Sequence, residues 1–305
     1  MHNPRVWLTV PTFNEADNVE RIVRAALAQL ERCVPGDHRV LIVDDASPDG
    51  TGRVADALAA QLPAVEVLHR TGKQGLGRAY LAGFERALDG GAELVIVMDA
   101  DYSHDPAHLP ELLAAAAEHD LVLGSRYVPG GAILEWPRLR RALSRAGSLY
   151  ARTILGVGVH DLTGGFRCIR REVLEGVELA TLRSQGYVFN IELSFRALRE
   201  GFRVVEVPIV FRDRTVGESK ISLSIAVEAL WLVPSLRWPR LRRAWPARNV
   251  PLADPGVRLG AGAAPERESV GPAAIPLTQQ ASQRLQAGDE RELDERVARE
   301  VRQLG

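Results

Sequence analysis

The stretch ELVIVMDAD, residues 93–101, places the apolar run Val95–Met98 directly before two aspartates that one residue separates. A continuous apolar run that ends at polar residues predicts a strand buried on both faces of a parallel sheet. Helical patterns alternate with this run and with four similar ones, at 5–11, 39–45, 65–70 and 121–127. This alternation predicts an α/β fold with a mostly parallel, Rossmann-like central sheet flanked by helices.

Polar segments follow four of the five predicted strands. They are PTFNE at 11–15, DDASPDGT at 44–51, DADYSHDP at 99–106 and GSRY at 124–127. Ligands of parallel α/β sheets bind outside the carboxyl ends of the strands. We therefore expect these four segments to converge at one edge of the sheet.

The remaining elements and the domain limits follow from the same patterns. Asp17 and Glu20 have the spacing of a capping box before an amphipathic helix. Further helices are predicted at 140–155, 187–200 and 222–238, and strands within 163–171 and 202–211. We expect one domain over 1–237, then a Pro-, Ala-, Gly- and Arg-rich tail over 238–305 that is a linker or disordered and could end in a polar helix.

Composition excludes several classes of protein. The 305 residues carry a formal net charge of −1, which gives no nucleic-acid signature. The two cysteines, Cys33 and Cys168, lie far apart, so we expect neither a disulfide framework nor a zinc site, and a reducing cytosol. No window reaches the roughly 18 apolar residues of a membrane span, so we expect a soluble or peripheral protein.

Asp99 and Asp101 carry the strongest chemical signal. On an extended strand, residues two apart point to the same face, so the two carboxylates would repel unless a cation neutralises them. A hard divalent cation such as Mg²⁺ takes one or two carboxylates together with water and phosphate oxygens. His104 is close enough in sequence to approach such a metal, whereas His160 is expected to be structural.

A phosphatase is an alternative interpretation of the same motif. Some phosphatases follow an apolar strand with two aspartates in this spacing and use the first as a nucleophile. That motif usually opens the fold, whereas three predicted strands precede Asp99 here.

Two further loops could contact a nucleotide. Asp44 or Asp45, in the turn around Pro48 and Gly50, could hydrogen-bond a base or a ribose. The Gly-rich stretch RTGKQGLGRAY at 70–80 has neither dinucleotide-fold nor P-loop spacing. It could still offer backbone N–H groups and Lys73 to a phosphate.

Basic residues cluster in the middle of the chain and predict an anionic substrate, because guanidinium groups suit phosphate oxygens. The cluster consists of Arg126, then Arg138, Arg140, Arg141 and Arg145 around Ser144, and later Arg212, Arg214 and Lys220.

Eight segments in order resemble the polyprenol-phosphate (dolichol-phosphate) mannose synthases, inverting glycosyltransferases of family 2 with a GT-A fold. They are PTFNEADN, VDDASPDGT, GLGRAY, MDADYSHDP, GSRYVPGG, DLTGGFR, GYVFNIEL and EVPIVFRDRTVGESK. The resemblance runs from about residue 6 to residue 223. It implies GDP-mannose as donor, a polyprenyl phosphate as acceptor, Mg²⁺ or Mn²⁺ as cofactor, and a catalytic role for the domain over 1–237.

The resemblance also implies roles for individual residues. The nucleotide-sugar site would comprise Pro11, Phe13, Glu15, Val43, Asp45, Asp99, Ala100, Asp101, Arg214 and Lys220. The metal would be met by Asp99, Asp101 and Ser103, and the acceptor phosphate by Arg126, Arg140 and Ser144, with Arg141 as an alternative to Arg140. Asp101, Arg126 and Arg214 would be the catalytic residues. Family members often carry Gln where this chain has Ser103, so we expect that shorter side chain to reach the metal only through water.

The resemblance leaves other possibilities open. The donor could carry glucose or another sugar, and the chain could be a non-catalytic sugar-nucleotide-binding subunit. Residues 222–243 combine apolar residues and Trp with Arg-rich sequence, which fits either a packing helix or a helix at a membrane surface. A lipid acceptor favours a peripheral position at the cytoplasmic face of a membrane, or a membrane partner subunit.

Overall fold

An eight-stranded sheet forms the centre of the structure, a computed structural model that describes residues 4–182, 184, 186–213, 223–238 and 258–259. Its strand order is β10-β3-β2-β1-β4-β7-β5-β8, and β6 and β9 form a small second sheet. The described strands are β1 (Val6–Thr12), β2 (His38–Asp44), β3 (Val65–His69), β4 (Leu94–Val97), β5 (Leu121–Ser125), β6 (Ala132–Ile133), β7 (Arg167–Arg170), β8 (Val204–Pro208), β9 (Val210–Phe211) and β10 (Arg258–Leu259).

Helices cover both faces of the large sheet. They are α1 (Val19–Cys33), α2 (Thr51–Gln61), α3 (Leu76–Asp89), α4 (Leu109–Ala115), α5 (Arg138–Leu155), α6 (Arg171–Gly176), α7 (Gly186–Arg199) and α8 (Leu223–Arg237). The predicted α/β fold with a mostly parallel sheet is therefore confirmed.

The sheet separates two apolar layers because side chains alternate along each strand. In β1, Val6, Leu8 and Val10 join the layer with α1, α2 and α4, whereas Trp7 faces the layer that α3, α5, α6, α7 and α8 cover. The strands are apolar on both faces for this reason, which explains their continuous apolar sequences.

Two strands depart from the parallel pattern. β7 lies between β4 and β5 and is antiparallel to both, with Cys168 opposite Ile96 and Val122. β10 pairs antiparallel with β3, opposite Leu68 and His69. Within the predicted tail, the structure describes Trp238 and Arg258–Leu259, while residues 239–257 and 260–305, with the predicted terminal helix, lie outside the described residues.

Two local predictions are also wrong. Asp17 does not cap α1: the N-cap is Asn18, which makes no side-chain cap bond. Backbone N–H groups of Asn18 and Val19 already donate to the Glu15 carbonyl, at 3.0 and 2.9 Å. The single strand predicted within 202–211 is divided into β8, which pairs with β5, and β9, which pairs with β6 in the second sheet.

None of the helices in the described part of the chain is long and apolar enough to cross a membrane.

Candidate active site

The predicted convergence of four polar segments is observed at one edge of the large sheet. β1 is parallel to β2 and to β4. β5 runs the same way as β4, because both are antiparallel to β7 between them. The loops after β1, β2, β4 and β5 therefore leave the sheet on the same side.

Three of these loops contain a residue other than glycine in the left-handed region. Asn14, Ala46 and Tyr102 have φ values of 59°, 57° and 61°. Such conformations cost about 1–3 kcal/mol each and persist where surrounding contacts impose them, often at functional sites. The loops after β1, β2 and β4 therefore each contain a residue held in an uncommon backbone conformation.

Hydrogen bonds join the loop after β1 to the loop after β2. The N–H groups of Asn14, Glu15 and Ala16 donate to Ser47 Oγ, Thr51 Oγ1 and Asp49 Oδ2, at 3.1, 2.9 and 3.1 Å. Glu15 itself accepts from Asn18 Nδ2 at 2.8 Å. Two loops that the sequence separates by more than thirty residues thus form one rigid wall.

Asp99 and Asp101 occupy the loop after β4 in different environments. Asp101 is buried, and its Oδ1 accepts hydrogen bonds from the N–H of Ser103 at 3.0 Å and from the Ser103 hydroxyl at 2.5 Å. The side chain of Asp99 is 32% exposed, and the Tyr80 hydroxyl donates to it at 3.5 Å. Ala100, between them, is buried.

This donor set fits a hard divalent cation. Asp99 and Asp101 supply carboxylate oxygens, and Ser103 supplies a hydroxyl that Asp101 holds. The described residues contain no cluster of three or more His, Cys, Asp and Glu side chains that could hold a metal. A cation here would take its remaining oxygens from water and a phosphate ligand, which is the usual pattern for Mg²⁺.

His104 holds the backbone of the aspartate loop. Its Nδ1 accepts a hydrogen bond from the Asp99 N–H at 3.2 Å, so the proton of the neutral ring is assigned to Nε2. Burial lowers the pKa of His104 to about 4. The ring stacks on Phe166 and meets Phe211 edge-on, at centroid distances of 5.1 and 5.5 Å. From the sequence, His104 could have approached a metal. In the structure, its Nδ1 instead binds the Asp99 backbone N–H.

Asp45 anchors the Gly-rich loop before α3. It forms an ion pair with Arg70, and its Oδ2 accepts from the N–H groups of Gln74 and Gly75 at 3.3 and 3.4 Å. Burial raises the pKa of Asp45, against the opposing effect of the Arg70 charge. The sequence predicted that backbone N–H groups of this loop could bind a phosphate. Those of Gln74 and Gly75 instead donate to the Asp45 carboxylate.

The other residues predicted for the nucleotide lie near this wall or beneath it. The Lys73 ammonium lies over the Phe13 ring, 3.9 Å from its centroid. Pro11 is half-buried in β1. Val43 is fully buried in the apolar core, so its side chain faces other core residues, and its carbonyl accepts from Thr12 Oγ1 at 3.3 Å.

Arg126, after β5, is buried in a pocket of charge and aromatic rings. Its Nε and Nη2 donate to the two carboxylate oxygens of Asp161 at 2.7 and 2.8 Å, and Nη2 also reaches Thr163 Oγ1 at 2.9 Å. The guanidinium carbon lies 5.2 Å from the ring centroids of both Tyr127 and Phe211. The sequence did not predict Asp161, and the segment DLTGGFR was the only signal for it.

The N-terminal half of α5 brings two more predicted acceptor residues to this pocket. Arg140 forms an ion pair with Asp213, with Nη1 2.9 Å from Oδ2, and lies over the Trp136 ring. The Tyr127 hydroxyl donates to Ser144 Oγ at 2.6 Å. The structure thus brings Arg126, Arg140 and Ser144 into one network through Tyr127 and Trp136, neither of which the sequence singled out. Arg141 is exposed, and Arg214 and Lys220 lie outside the described residues.

Solved structures share this architecture. Glucosyl-3-phosphoglycerate synthase from Mycobacterium tuberculosis, in complex with phosphoglyceric acid, aligns with a TM-score of 0.57 at 18% identity, covering 76% of this chain and 80% of that chain. The same enzyme in complex with Mn²⁺, UDP-glucose and phosphoglyceric acid gives 0.57 at 16% identity, covering 78% and 80%. The fold of this chain is therefore GT-A-like.

Sequence comparison gives the particular family. The chain is 47% identical over 242 residues to an undecaprenyl-phosphate mannosyltransferase of Micrococcus luteus, covering 78% of this chain and 98% of the relative. It is 49% identical over 231 residues to a polyprenol monophosphomannose synthase of Mycolicibacterium smegmatis, covering 75% and 85%. The family model described as glycosyl transferase family 2 matches residues 7–177, and the chain belongs to this family. It is a glycosyltransferase.

Proposed function

We propose that this enzyme transfers mannose from GDP-mannose to a polyprenyl phosphate, with inversion at the anomeric carbon and with Mg²⁺ or Mn²⁺ as cofactor. The relatives at 47% and 49% identity carry names that describe mannose transfer to such lipids. The structural observation that carries the proposal is the cluster of Arg126, Arg140 and Ser144, to which His104 and Phe211 connect the aspartate loop.

The reaction is a direct displacement. An oxygen of the acceptor phosphate forms a bond to the anomeric carbon while the bond from that carbon to the nucleoside diphosphate breaks. The acceptor phosphate is already anionic near neutral pH, so no general base is required. This agrees with the neutral, buried state of His104.

The protein would accelerate this step by alignment and charge. Arg126 and Arg140 would hold the acceptor phosphate and reduce its repulsion from the donor diphosphate, with Ser144 as a further hydrogen-bond partner. Asp99 and Asp101 would hold the cation, which would stabilise charge on the leaving diphosphate. Arg214 and Lys220 are proposed for the donor phosphates and sugar. Pro11, Phe13, Glu15, Asp45 and Ala100 are proposed to line the rest of the donor site, with Val43 in the core beneath it.

The decisive experiment measures radiolabelled mannose transferred from GDP-mannose to polyprenyl phosphate, with and without EDTA. We expect transfer that EDTA abolishes and that Asp101→Ala reduces to background. Asp105→Ala is the matched control: it makes the same change in the same loop, at a side chain that caps the turn at Ala107. Full activity of a folded Asp101→Ala protein would exclude the metal assignment.

Two further arms separate the alternatives. Faster transfer from UDP-glucose than from GDP-mannose would assign a different sugar. Binding of GDP-mannose without turnover in the presence of lipid phosphate would instead support a non-catalytic subunit.

The surface of α5 and α8 supports a peripheral position at a membrane, which we propose to be the cytoplasmic face. Leu139, Leu143 and Leu149 of α5 are 72%, 64% and 58% exposed, and Trp231 of α8 is 66% exposed. Exposed arginines at 138, 141 and 145 lie beside these leucines in the sequence of α5. Apolar side chains flanked by arginine are typical of helices that lie on anionic lipid surfaces.

Substitution of the leucines tests this position. Leu139→Ser/Leu143→Ser should weaken co-sedimentation with vesicles of anionic lipid, because it removes apolar surface that would enter the lipid interface. Transfer to a short, water-soluble isoprenyl phosphate should be retained, because both leucine side chains are largely exposed. Unchanged vesicle binding would instead favour recruitment by a membrane partner subunit.

A further inference from the structure

Trp136 lies at the centre of the acceptor cluster. It occupies the turn between β6 and α5, directly after Glu135, a non-glycine residue with a φ of 64°. Only 7% of Trp136 is exposed. Its ring meets Phe211 of β9 edge-on, with centroids 5.2 Å apart. A bulky ring is thus held in place by a strained turn and by a second aromatic side chain.

Two guanidinium groups share this ring. The Arg140 guanidinium carbon lies 4.0 Å from the Trp136 ring centroid, and that of Arg126 lies 5.8 Å from it. Each guanidinium also pairs with a carboxylate, Asp213 and Asp161 respectively. The ring therefore contacts two cations from different parts of the fold, Arg126 in the loop after β5 and Arg140 in α5.

The indole N–H of Trp136 is buried and has no hydrogen-bond acceptor among the described residues. A buried donor left without an acceptor is unfavourable, so its persistence requires an explanation. Trp7, in β1, has a similar unpaired N–H, with one guanidinium, that of Arg86, over its ring. What distinguishes Trp136 is the combination of an unpaired donor with two cations on one ring.

We propose that Trp136 belongs to the acceptor site, where its indole N–H donates to an oxygen of the lipid phosphate while its ring fixes the spacing of Arg126 and Arg140. This inference rests on the proposed function, since it assumes that the cluster binds a phosphate monoester. An anion between two guanidiniums would also accept a hydrogen bond from a neutral N–H, which adds direction to the charge attraction.

Kinetics with matched variants test the hydrogen bond. Trp136→Phe keeps an aromatic face and removes the N–H, and Trp7→Phe makes the identical change at the other buried indole. We expect Trp136→Phe to raise the KM for isoprenyl phosphate roughly tenfold, the usual effect of losing a hydrogen bond to a charged group. The KM for GDP-mannose should stay unchanged, and Trp7→Phe should leave both values unchanged. A wild-type KM for isoprenyl phosphate in Trp136→Phe would overturn the proposal.

The indole N–H of Trp136 can also be observed by NMR in the wild-type protein, where a folding defect of the variant has no influence. The chain has five tryptophans, and the indole signal that Trp136→Phe removes from the ¹⁵N–¹H spectrum belongs to Trp136. We expect isoprenyl phosphate to move this proton signal downfield in the wild-type protein and isoprenol to leave it in place. A signal that does not move at saturating isoprenyl phosphate would overturn the proposal.

The same spectra separate this inference from the proposed function. If isoprenyl phosphate moves the Trp136 signal but the wild-type protein transfers no mannose to it, the acceptor site stands and the proposed reaction fails. If transfer occurs and the signal stays in place, the reaction stands and the role of Trp136 fails. A parallel titration with inorganic phosphate shows whether the headgroup alone is sufficient.

Discussion

Asp161 is the residue on which the position of Arg126 depends most directly. It is fully buried, and Arg126 is 7% exposed. Burial alone would raise the pKa of Asp161, but the charge and hydrogen bonds of Arg126 and the Thr163 hydroxyl hold that pKa below its ordinary value. Because both charges are shielded from water, removing one would leave the other without a partner.

Asp161→Asn should lower the free energy of unfolding by about 3–5 kcal/mol at pH 7, the usual effect of breaking a buried ion pair. The folded-state pKa lies below the ordinary value of about 3.9. The carboxylate therefore stabilises the fold above that pH, and this contribution is lost as the pH falls through the folded-state pKa. Urea denaturation at a series of pH values should show the difference from wild type shrinking below about pH 4.

Exposed Asp17→Asn is the control and should leave the unfolding curve unchanged. An equal loss of stability at pH 7 and at pH 3 would contradict the ion-pair explanation.

At the scale of elements, helix α3 packs against β1 through Gly83. A Cβ atom at this position would lie 2.4 Å from Thr9 Cγ2, well inside van der Waals contact. In α5, a Cβ atom at Gly147 would meet nothing within 4 Å. Substitution by alanine should therefore have opposite effects on stability at these two positions.

Gly83→Ala should destabilise the protein by about 1–3 kcal/mol, because the helix must move away from the sheet. Gly147→Ala should stabilise it by about 0.5–1 kcal/mol, because alanine favours a helix interior and no atom obstructs it. Thermal and urea unfolding of both variants measure the difference. Equal shifts of the same sign would show that α3 does not pack closely on β1.

The elements themselves were largely predictable, because both faces of the sheet are covered and the strands are apolar throughout. The predicted helices at 140–155, 187–200 and 222–238 correspond to α5, α7 and α8. The insertion of β7 between β4 and β5 was not predictable, because strand order depends on contacts between distant segments. The capping box failed because α1 begins after Asn18, and the N–H groups of Asn18 and Val19 donate to the Glu15 carbonyl.

At the scale of the whole molecule, the site exists only when four loops from one sheet edge are assembled. Donor and cation should therefore bind the folded state and stabilise it. GDP and Mn²⁺ together should raise the melting temperature, with a stabilisation of about 2.7 kcal/mol when the ligand concentration is a hundred times its Kd. EDTA should remove the effect.

The matched variants again separate binding from folding. Asp101→Ala should lower the melting temperature without ligand, because it leaves the Ser103 donors unpaired, and should lose the response to GDP with Mn²⁺. Asp105→Ala should respond as the wild-type protein does. A metal-independent response to GDP would show that the nucleotide binds without the aspartate pair.

The sequence by itself determined the α/β fold, the family and the aspartate pair, because apolar periodicity and ordered motifs are local properties of the chain. It also predicted that Arg126, Arg140 and Ser144 act together, through its resemblance to a known family. Only the tertiary structure decided that Asp161 holds Arg126, that His104 holds the Asp99 backbone and that two guanidiniums lie over the Trp136 ring. These partners are 35, 5 and up to 10 residues apart in sequence. Their contacts depend on how the loops fold in space, which the apolar periodicity of the chain does not record.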